Sequence, residues 1–299
     1  MIVTSSIDIT VDYIINKYKK VAKFYRINVD YINNYKISCG KNFEWSIVCN
    51  EWDDILYRND VFSIYYRKPR FPDLSAYEPE YRNMINYDIL TLINGIVDSF
   101  DGKVLTKPSI LRKCENKVFQ LIYAVKNDIL IPTSFIGNDN ETMKGIADKK
   151  TIIKPVSTGK VYREDECEIY QTSYFEDFEE DISLTPVYVQ EYIKKSFEVR
   201  ITIIDGKIFP IKIESEDKVD WRRECNRNKY SIIDVPEDIL RKSLKILEDF
   251  RLAFGAFDYI VNEKKEWVFL EVNPNGQWHW LEKELQLNIS DEIVQFLLR

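Results

Sequence analysis

The stretch GAFDYIVNEKKEWVFLEVNPNG, residues 255–276, predicts the architecture of the C-terminal part of the chain. Apolar and polar residues alternate on both sides of the polar tip Asn262–Lys265, which is typical of two strands joined by a short turn. If that tip closes a hairpin, Asp258 lies close to opposite Glu271, with Cβ atoms about 4.5–5.5 Å apart. Asn273 shares a strand face with Glu271, because residues two apart in a strand point the same way.

Two carboxylates and an amide therefore converge on one face of the predicted hairpin. Like charges opposed across a sheet repel each other, and a bound cation relieves the repulsion. Hard oxygen ligands suit Mg²⁺, which completes its shell with water and substrate phosphates. The alternative is an edge hairpin with surface acids. The apolar neighbours favour the nucleotide–metal site, since buried strands rarely carry unpaired carboxylates. These neighbours are Phe257, Tyr259, Val261, Val268, Leu270 and Val272.

The composition is that of a globular chain with material for two or three subdomains. Its 299 residues are 45% hydrophobic and 30% charged. A net charge of −7 disfavours nucleic acid and anionic membranes as partners, since both need a basic surface. Five cysteines without metal-ligand spacing indicate a reducing compartment and buried, inert thiols. With no visible signal peptide or long apolar span, we expect a cytoplasmic protein.

His279 is the only histidine, and this limits the possible chemistry. A Ser-His-Asp triad, a His-rich zinc site or a Cys-His pair would each depend on that one residue. We therefore expect catalysis to use Asp, Glu, Lys, Arg and a bound metal. His279 itself lies between Trp278 and Trp280, where packing or hydrogen bonding is the favoured role and a catalytic base the alternative.

Periodicity along the rest of the chain predicts a mixed α/β fold. Helices are predicted at Asp12–Ala22, Glu78–Phe100, Asn116–Lys126, Asn140–Asp148, Ile239–Phe250 and Ile289–Leu298. Strands are predicted at Lys23–Val29, Glu44–Val48, Asp54–Arg58, Val61–Arg67, Ile131–Ile136, Thr151–Pro155, Val187–Ile193, Phe197–Ile204 and Lys207–Glu214. The stretch Ser157–Asp181 is polar, and we expect its acidic run to be solvated surface.

Several short motifs precede the hairpin in a fixed order. Lys117 begins a predicted helix, and Lys154 lies in the short strand Ile-Ile-Lys-Pro. The segment Val189–Ile193 follows, and after it come Glu198 and Arg200, two residues apart. Each motif alone is weak, but together, from about residue 107 to 280, they resemble an ATP-grasp ligase.

The resemblance implies the ATP-grasp fold, with an N-terminal α/β lead domain at 1–106. A central ATP-grasp subdomain is implied at 107–188, and a C-terminal subdomain with the metal-binding hairpin at 189–299. ATP and Mg²⁺, two ions in this family, are the implied cofactors. The implied nucleotide contacts are Lys117 and Lys154 on phosphates, Gln190, Glu191, Tyr192 and Ile193 at adenine, Glu198 on ribose and Arg200 near the transferred phosphoryl. The implied metal ligands are Asp258, Glu271 and Asn273.

Within that family the chain resembles the graspetide synthetases, peptide ligases of the microviridin and plesiocin type. The segments that carry this likeness are 190–200, 212–215, 220–222 and 270–278. These enzymes phosphorylate an Asp or Glu side chain of a precursor peptide, and a Ser or Thr hydroxyl or a Lys amine then displaces the phosphate.

The resemblance implies that Arg200 and Lys212 stabilise the phosphoryl group and the acyl phosphate. Arg222, two residues after Asp220, is implied to position the peptide carboxylate. This task suits the guanidinium, whose forked donors match a carboxylate. A surface ion pair is the alternative for Asp220 and Arg222. The implied partner is a precursor peptide with a leader and an acidic, Thr-containing core, and a homodimer or higher homo-oligomer is implied. The segment Pro274–Trp278 is expected to carry the chain away beside the peptide site.

Two other functions stay open from the sequence. An ATP-grasp ligase that adds glutamate or another amino acid to a protein or peptide tail would use the same ATP site, so the motifs barely separate it from a cyclase. A non-catalytic nucleotide-binding or peptide-binding module is the second. Such a module is expected to have lost a metal ligand or a lysine, and all are present here.

Overall fold

Five small sheets organise the part of the chain that the structure describes, and helices cover them. The computed structural model describes residues 1–42, 44–51, 54–146, 150–157, 160–163, 166–169, 172–174, 182–216 and 228–299. Within these ranges, no helix combines the length and the apolar character that crossing a membrane requires.

The N-terminal region is built on a parallel sheet and a smaller antiparallel one. Its elements are β1 (Ile2–Thr4), α1 (Ile9–Tyr18), β2 (Arg26–Asn28), β3 (Tyr35–Cys39), β4 (Trp45–Cys49), β5 (Asp54–Tyr57), β6 (Ser63–Tyr66), α2 (Pro79–Asp98) and β7 (Lys103–Leu105). The parallel sheet has the order β2-β1-β6-β7, and the antiparallel sheet has the order β3-β4-β5. Asp8 begins α1 because its side chain accepts hydrogen bonds from the backbone N–H groups of Thr10 and Val11.

The central region consists of short elements. They are α3 (Pro108–Cys114), α4 (Lys117–Lys126), β8 (Ser134–Gly137), α5 (Asn140–Ile146), β9 (Thr151–Lys154), β10 (Lys160–Arg163), β11 (Glu166–Ile169), β12 (Ser173–Tyr174) and β13 (Val187–Glu191). The main sheet has the order β12-β9-β13-β8, and β10 pairs with β11 in a separate hairpin. Strands β10 to β12 lie in the stretch for which no strands were predicted. Short polar strands carry too little hydrophobic alternation to be recognised.

The C-terminal region has the longest strands. Its elements are β14 (Lys195–Ile204), β15 (Lys207–Glu214), β16 (Lys229–Ile232), α6 (Glu237–Phe250), β17 (Phe254–Asn262), β18 (Trp267–Asn273), α7 (His279–Leu285) and α8 (Ile289–Leu298). They form an antiparallel sheet of order β16-β15-β14-β17-β18. Helix α6 buries Ile239, Ile246 and Phe250 on one face and packs with the sheet residues Val199, Ile201 and Phe257. One face of the sheet is thereby covered by helix, and the other is left for the site.

The end of the chain returns to the N-terminal region. Ile289 and Ile293 of α8 are fully buried in one cluster with Ile2 of β1, Ile14 of α1 and Phe254 of β17. Each fully buried aliphatic side chain contributes about 1.5–3 kcal/mol to stability. This shared core fixes the N-terminal sheet against the C-terminal sheet.

The predicted helices and strands recur with shifted ends. Helix α1 begins at Ile9 because Asp8 caps it there, and the predicted strand Lys23–Val29 contracts to β2. The strands and helices that the sequence patterns missed are β1, β3, β7, β10, β11, β12, α3, β16 and α7. The proposed boundary between residues 188 and 189 lies inside β13, which pairs with β8 and β9. The acidic run at 176–181 lies outside the described residues.

The expectation of buried thiols holds for only one of the three cysteines whose side chains the structure describes. Cys114 is fully buried, and burial raises the pKa of its thiol to about 11. Cys39 is exposed and Cys49 is half-buried, so for these two the expectation is wrong. Their positions on the small β3-β4-β5 sheet explain the difference, because such a sheet cannot cover both of its faces.

Candidate active site

Strands β17 and β18 form the predicted hairpin, and Asp258 pairs directly with Glu271. The next pair is Tyr259 with Phe269, so Leu270 is an extra residue and the strand bulges there. Bulges re-aim neighbouring side chains and are frequent beside active sites. The regular pairing of the two strands is therefore interrupted next to the two carboxylates and continues beyond them to Ala256 and Asn273.

Asn273 joins the two carboxylates into one cluster. Its Nδ2 donates hydrogen bonds to Asp258 Oδ2 and to Glu271 Oε1, each at 3.1 Å. The three side chains thus converge as their spacing predicts. Their oxygens are hard donors of the kind that Mg²⁺ prefers, so the set fits the predicted metal. No group of three His, Cys, Asp or Glu side chains that could hold a metal occurs among the described residues, so the amide is needed as the third ligand.

Arg200 belongs to the same cluster. Its pairing with Asp258 was not predicted from the sequence. The register between β14 and β17 places it opposite Asp258. Its Nε donates to Oδ1 at 2.9 Å and its Nη2 donates to Oδ2 at 2.7 Å. Both side chains are largely buried. A bidentate, charge-assisted pair of this kind fixes the guanidinium in one orientation beside the metal ligands.

Lys154 lies on β9 and contacts the strand that leads into the predicted adenine hinge. Its Nζ donates to Gln190 Oε1 at 2.7 Å. The amide of Gln190 in turn donates to the hydroxyl of Tyr188 at 2.6 Å. Burial raises the pKa of Tyr188 to about 12, and the negative charge of Glu271 adds to the rise. The central sheet is therefore electrostatically coupled to the metal hairpin.

Lys117 begins α4 and reaches the loop that follows β9. Its Nζ donates to the carbonyl oxygen of Pro155 at 2.8 Å and to that of Ser157 at 3.4 Å. Pro155 directly follows Lys154, so the fold brings Lys117 to the backbone next to the second predicted phosphate lysine. Gln120, one turn further along α4, exchanges hydrogen bonds of 2.8 and 2.9 Å with the backbone of Val272. This buried glutamine ties the helix of Lys117 to the metal strand.

The predicted adenine hinge, residues 190–193, begins inside β13 and continues past the end of the strand. The backbone N–H of Glu191 donates to the carbonyl of Thr133 at 2.8 Å, and that of Tyr192 donates to the carbonyl of Lys150 at 2.9 Å. These two N–H groups hold the hinge to the central region. The hinge residues therefore lie at the junction between the central sheet and β14.

Glu198, the predicted ribose ligand, is buried on β14 beside a lysine that the sequence did not single out. The Nζ of Lys195 lies 3.2 Å from Glu198 Oε2, and both side chains are less than one-tenth exposed. A buried ion pair depends on both of its partners, because removing one leaves an uncompensated charge. Lys195 thus places a positive charge beside the carboxylate of Glu198.

Lys212 is not brought to this cluster. It pairs with Val199, on the face of the sheet that packs against α6, whereas Arg200 and Asp258 lie on the other face. Its Nζ donates to Glu214 Oε1 at 2.8 Å and lies 4.8 Å from the ring centroid of Phe197. The predicted peptide-binding residues Asp220 and Arg222 lie outside the described residues.

His279 stacks on Tyr13 of α1, with ring centroids 4.4 Å apart. Burial lowers the pKa of its imidazole below the ordinary value. The stacking contact is the one expected of a packing residue, and it joins α7 to the N-terminal region.

A family model, the RimK-like ATP-grasp domain, matches residues 114–297. The chain therefore belongs to the RimK-like ATP-grasp family, and it is an ATP-dependent ligase. ATP-grasp enzymes use ATP and Mg²⁺, which agrees with the donor set described above. A curated relative, the alpha-aminoadipate–LysW ligase LysX of Sulfurisphaera tokodaii, is 23% identical over 210 residues, which span 67% of this chain and 73% of that protein.

Solved structures are similar over almost the whole chain. The macrocyclase MdnC of Microcystis aeruginosa, bound with the precursor peptide MdnA, matches with a TM-score of 0.87 and 26% identity, covering 99% of this chain and 98% of that one. A RiPP-associated ATP-grasp ligase of Chryseobacterium gregarium, in complex with ADP and a leader and core peptide, matches with a TM-score of 0.86 and 24% identity, covering 99% and 95%.

Proposed function

We propose that this ligase is a graspetide synthetase, an ATP-dependent macrocyclase of a ribosomally made precursor peptide. The observation that carries the proposal is the similarity to the macrocyclase MdnC over 99% of this chain, which includes the N-terminal region. A TM-score of 0.87 over the whole chain favours a shared peptide substrate, because the ATP-grasp part alone is common to ligases of many kinds.

The reaction has two steps. An oxygen of an Asp or Glu side chain of the peptide attacks the γ-phosphorus of ATP, the bond from that phosphorus to the bridging oxygen breaks, and ADP leaves. A Ser or Thr hydroxyl, or a Lys amine, then attacks the acyl carbon. The carbon–oxygen bond to phosphate breaks, and the proton of the nucleophile leaves with the phosphate. Each turnover closes one ester or amide bond.

The cationic side of the site binds the nucleotide. Lys117 contacts the backbone of Pro155, directly after Lys154, and the two lysines bind the phosphate oxygens. The hinge at residues 190–193 takes the adenine. Glu198, which lies beside Lys195, accepts hydrogen bonds from the ribose hydroxyls.

The anionic side of the site holds the metal. Asp258, Glu271 and Asn273 would bind Mg²⁺. The family resemblance implies two ions. When bound, Mg²⁺ neutralises charge on the phosphate oxygens. Arg200 is oriented by Asp258, so its guanidinium is fixed before the phosphoryl group moves. A fixed charge of this kind stabilises the transition state without reorganisation.

The peptide side of the proposal rests on the sequence resemblance. Arg222, two residues after Asp220, binds the carboxylate to be activated, since the guanidinium fork matches a carboxylate. A precursor peptide with a leader and an acidic, Thr-containing core is the proposed partner. We also propose a homodimer or higher homo-oligomer, which sedimentation of the purified protein tests.

The test is the mass of the product. The enzyme is incubated with ATP, Mg²⁺ and an acidic, Thr-containing precursor peptide encoded beside its gene, with free glutamate and lysine present. Loss of one water mass for each ring supports the cyclase. Gain of an amino-acid residue supports the tail-extending ligase, the second candidate, which the LysX relative favours. ATP turnover that the peptide does not stimulate counts against both.

A further inference from the structure

Arg67, directly after β6 of the N-terminal sheet, reaches the loop that follows the metal strand. Its side chain is almost completely buried, with 1% exposure. Its Nη2 donates to Gln277 Oε1 at 2.5 Å, and its Nη1 lies 3.5 Å from the carbonyl oxygen of Gly276 and from Asn275 Oδ1. A single guanidinium therefore contacts three successive residues of the loop, which lie more than 200 positions away in sequence.

The N-terminal region holds this guanidinium from the other side. Its Nε lies 3.2 Å from Asp8 Oδ2, and its Nη2 donates to the hydroxyl of Thr10 at 3.2 Å. Asp8 is itself fixed, because it caps α1 and accepts a hydrogen bond of 2.9 Å from the hydroxyl of Thr4. Arg67 is thus a fixed fork between the start of α1 and the loop.

The loop at residues 274–278 is in turn connected to the site. It begins directly after Asn273, and the carbonyl oxygen of Gln277 accepts a hydrogen bond of 3.5 Å from Arg200 Nη1. Gly276 lies tightly against the sheet, since a Cβ there would stand 2.6 Å from the Cβ of Ala256. Trp278 is fully buried at the far end. Arg67 therefore contacts the part of the loop that touches the catalytic arginine.

We propose that Arg67 is a positioning residue of the ligase reaction. Through the loop at 274–277 it holds Arg200 and Asn273 in the geometry that the phosphoryl group and Mg²⁺ require. The N-terminal region thereby takes part in the chemistry of a site that is otherwise built from the ATP-grasp part. The inference rests on the roles proposed above for Arg200 and Asn273.

The chain offers a matched control for a purely structural role. Lys17 of the same helix α1 also joins the N-terminal region to the C-terminal elements. Its Nζ donates to Glu282 at 3.2 Å, to Ser290 at 2.8 Å and to Asp291 at 3.1 Å. These partners lie on α7 and α8 rather than in the loop. Lys17→Met therefore removes a comparable connection without touching the path from Arg67 to Arg200.

The experiment compares Arg67→Lys, Lys17→Met and the wild-type protein. Lysine keeps the charge opposite Asp8 but lacks the fork that reaches Gln277. We expect Arg67→Lys to fold with a lowered Tm, as Lys17→Met does, because the lysine gives up part of the buried hydrogen bonds of the guanidinium. Its kcat for peptide-stimulated ADP release falls about tenfold to a hundredfold, and the Mg²⁺ concentration for half-maximal ATP binding in calorimetry rises. Lys17→Met lowers Tm but leaves kcat and the Mg²⁺ requirement unchanged.

A double-mutant cycle tests the path itself. If Arg67 acts through Gln277, the loss of kcat in Arg67→Lys with Gln277→Ala is smaller than the sum of the two single losses on a free-energy scale. Full additivity overturns the proposed path. An unchanged kcat and Mg²⁺ requirement in Arg67→Lys overturns the positioning role. ATP binding by calorimetry needs no peptide, so this test gives a result even where peptide cyclisation fails.

Discussion

The central region and the C-terminal sheet contribute opposite halves of the site, and they hold their charges differently. On the C-terminal sheet, Arg200 donates two short hydrogen bonds to the carboxylate of Asp258. In the central region, Lys117 donates to the carbonyl oxygens of Pro155 and Ser157, and Lys154 donates to the amide oxygen of Gln190. All of these bonds are charge-assisted, but the contact between Arg200 and Asp258 is bidentate and joins two opposite charges, which fixes its geometry more firmly.

The comparison indicates a division of labour. Long, regularly paired strands keep the metal ligands and Arg200 in fixed positions, as transition-state stabilisation requires. The lysines lie at a loop and at the end of a short strand, where a phosphate oxygen can replace a neutral acceptor. Substitutions in the C-terminal half should therefore affect kcat, and substitutions of the lysines should affect mainly the binding of ATP.

The largest effect is expected for Glu271→Gln. Loss of one of two metal carboxylates should reduce peptide-stimulated ADP release by about a hundredfold or more, with Tm unchanged. The matched control is Glu263→Gln at the hairpin tip, where the carboxylate forms an exposed ion pair with Lys194. Steady-state kinetics over a Mg²⁺ titration make the comparison. Activity retained by Glu271→Gln would remove the metal assignment.

A smaller loss is expected for Arg200→Lys, which keeps the charge but not the bidentate geometry. We expect kcat to fall about 10²-fold while KM for ATP changes little, because the guanidinium acts on the phosphoryl in flight. Single-turnover kinetics measure the chemical step. A rise in KM at constant kcat would mean that Arg200 serves in ground-state binding, and the division between the two halves would not hold.

For Lys117→Met, the effect should be on KM for ATP, with a rise of about tenfold. The lysine supplies a positive charge to a ground-state phosphate rather than to the moving group. Lys126→Met, at the other end of the same helix, is the control. If kcat falls instead and KM stays constant, Lys117 belongs with Arg200 and not with the binding half.

The smallest predicted effect is on the pH dependence of stability. It concerns His279, which lies outside both halves of the site. Burial lowers the pKa of His279, so the folded state binds fewer protons than the unfolded state below the ordinary value of 6.5. Stability from this group is therefore present above that pH and is lost as the pH falls through the folded pKa. A small drop in Tm from pH 7 to pH 5 should be reduced in His279→Gln. An identical drop in Tm in both proteins would show that other titratable groups cause it.

The sequence predicted the metal hairpin well because both of its strands are contiguous and alternate regularly. Asp258, Glu271 and Asn273 could be placed together by counting residues from the turn at 262–265. The bulge at Leu270 was invisible, since one extra residue leaves the apolar pattern almost unchanged.

Contacts between distant segments could not be predicted. The pairing of Arg200 with Asp258 depends on the register between β14 and β17, which are separated in the chain by β15, β16 and α6. The register between β14 and β15 puts Lys212 on the opposite face of the sheet from Arg200. This contact is local, since a two-residue turn joins the two strands, but the motif alone does not show the face. Arg67 gave no signal at all, because a buried arginine in a loop looks like any surface arginine in a sequence.

The mass of the peptide product tests the central claim most directly. An acidic, Thr-containing precursor peptide, incubated with the enzyme, ATP and Mg²⁺, should lose one water mass for each ring, with one ADP released for each. Tandem mass spectrometry should place the new bonds between Asp or Glu side chains and Ser, Thr or Lys. A product made heavier by added amino-acid residues would contradict the account.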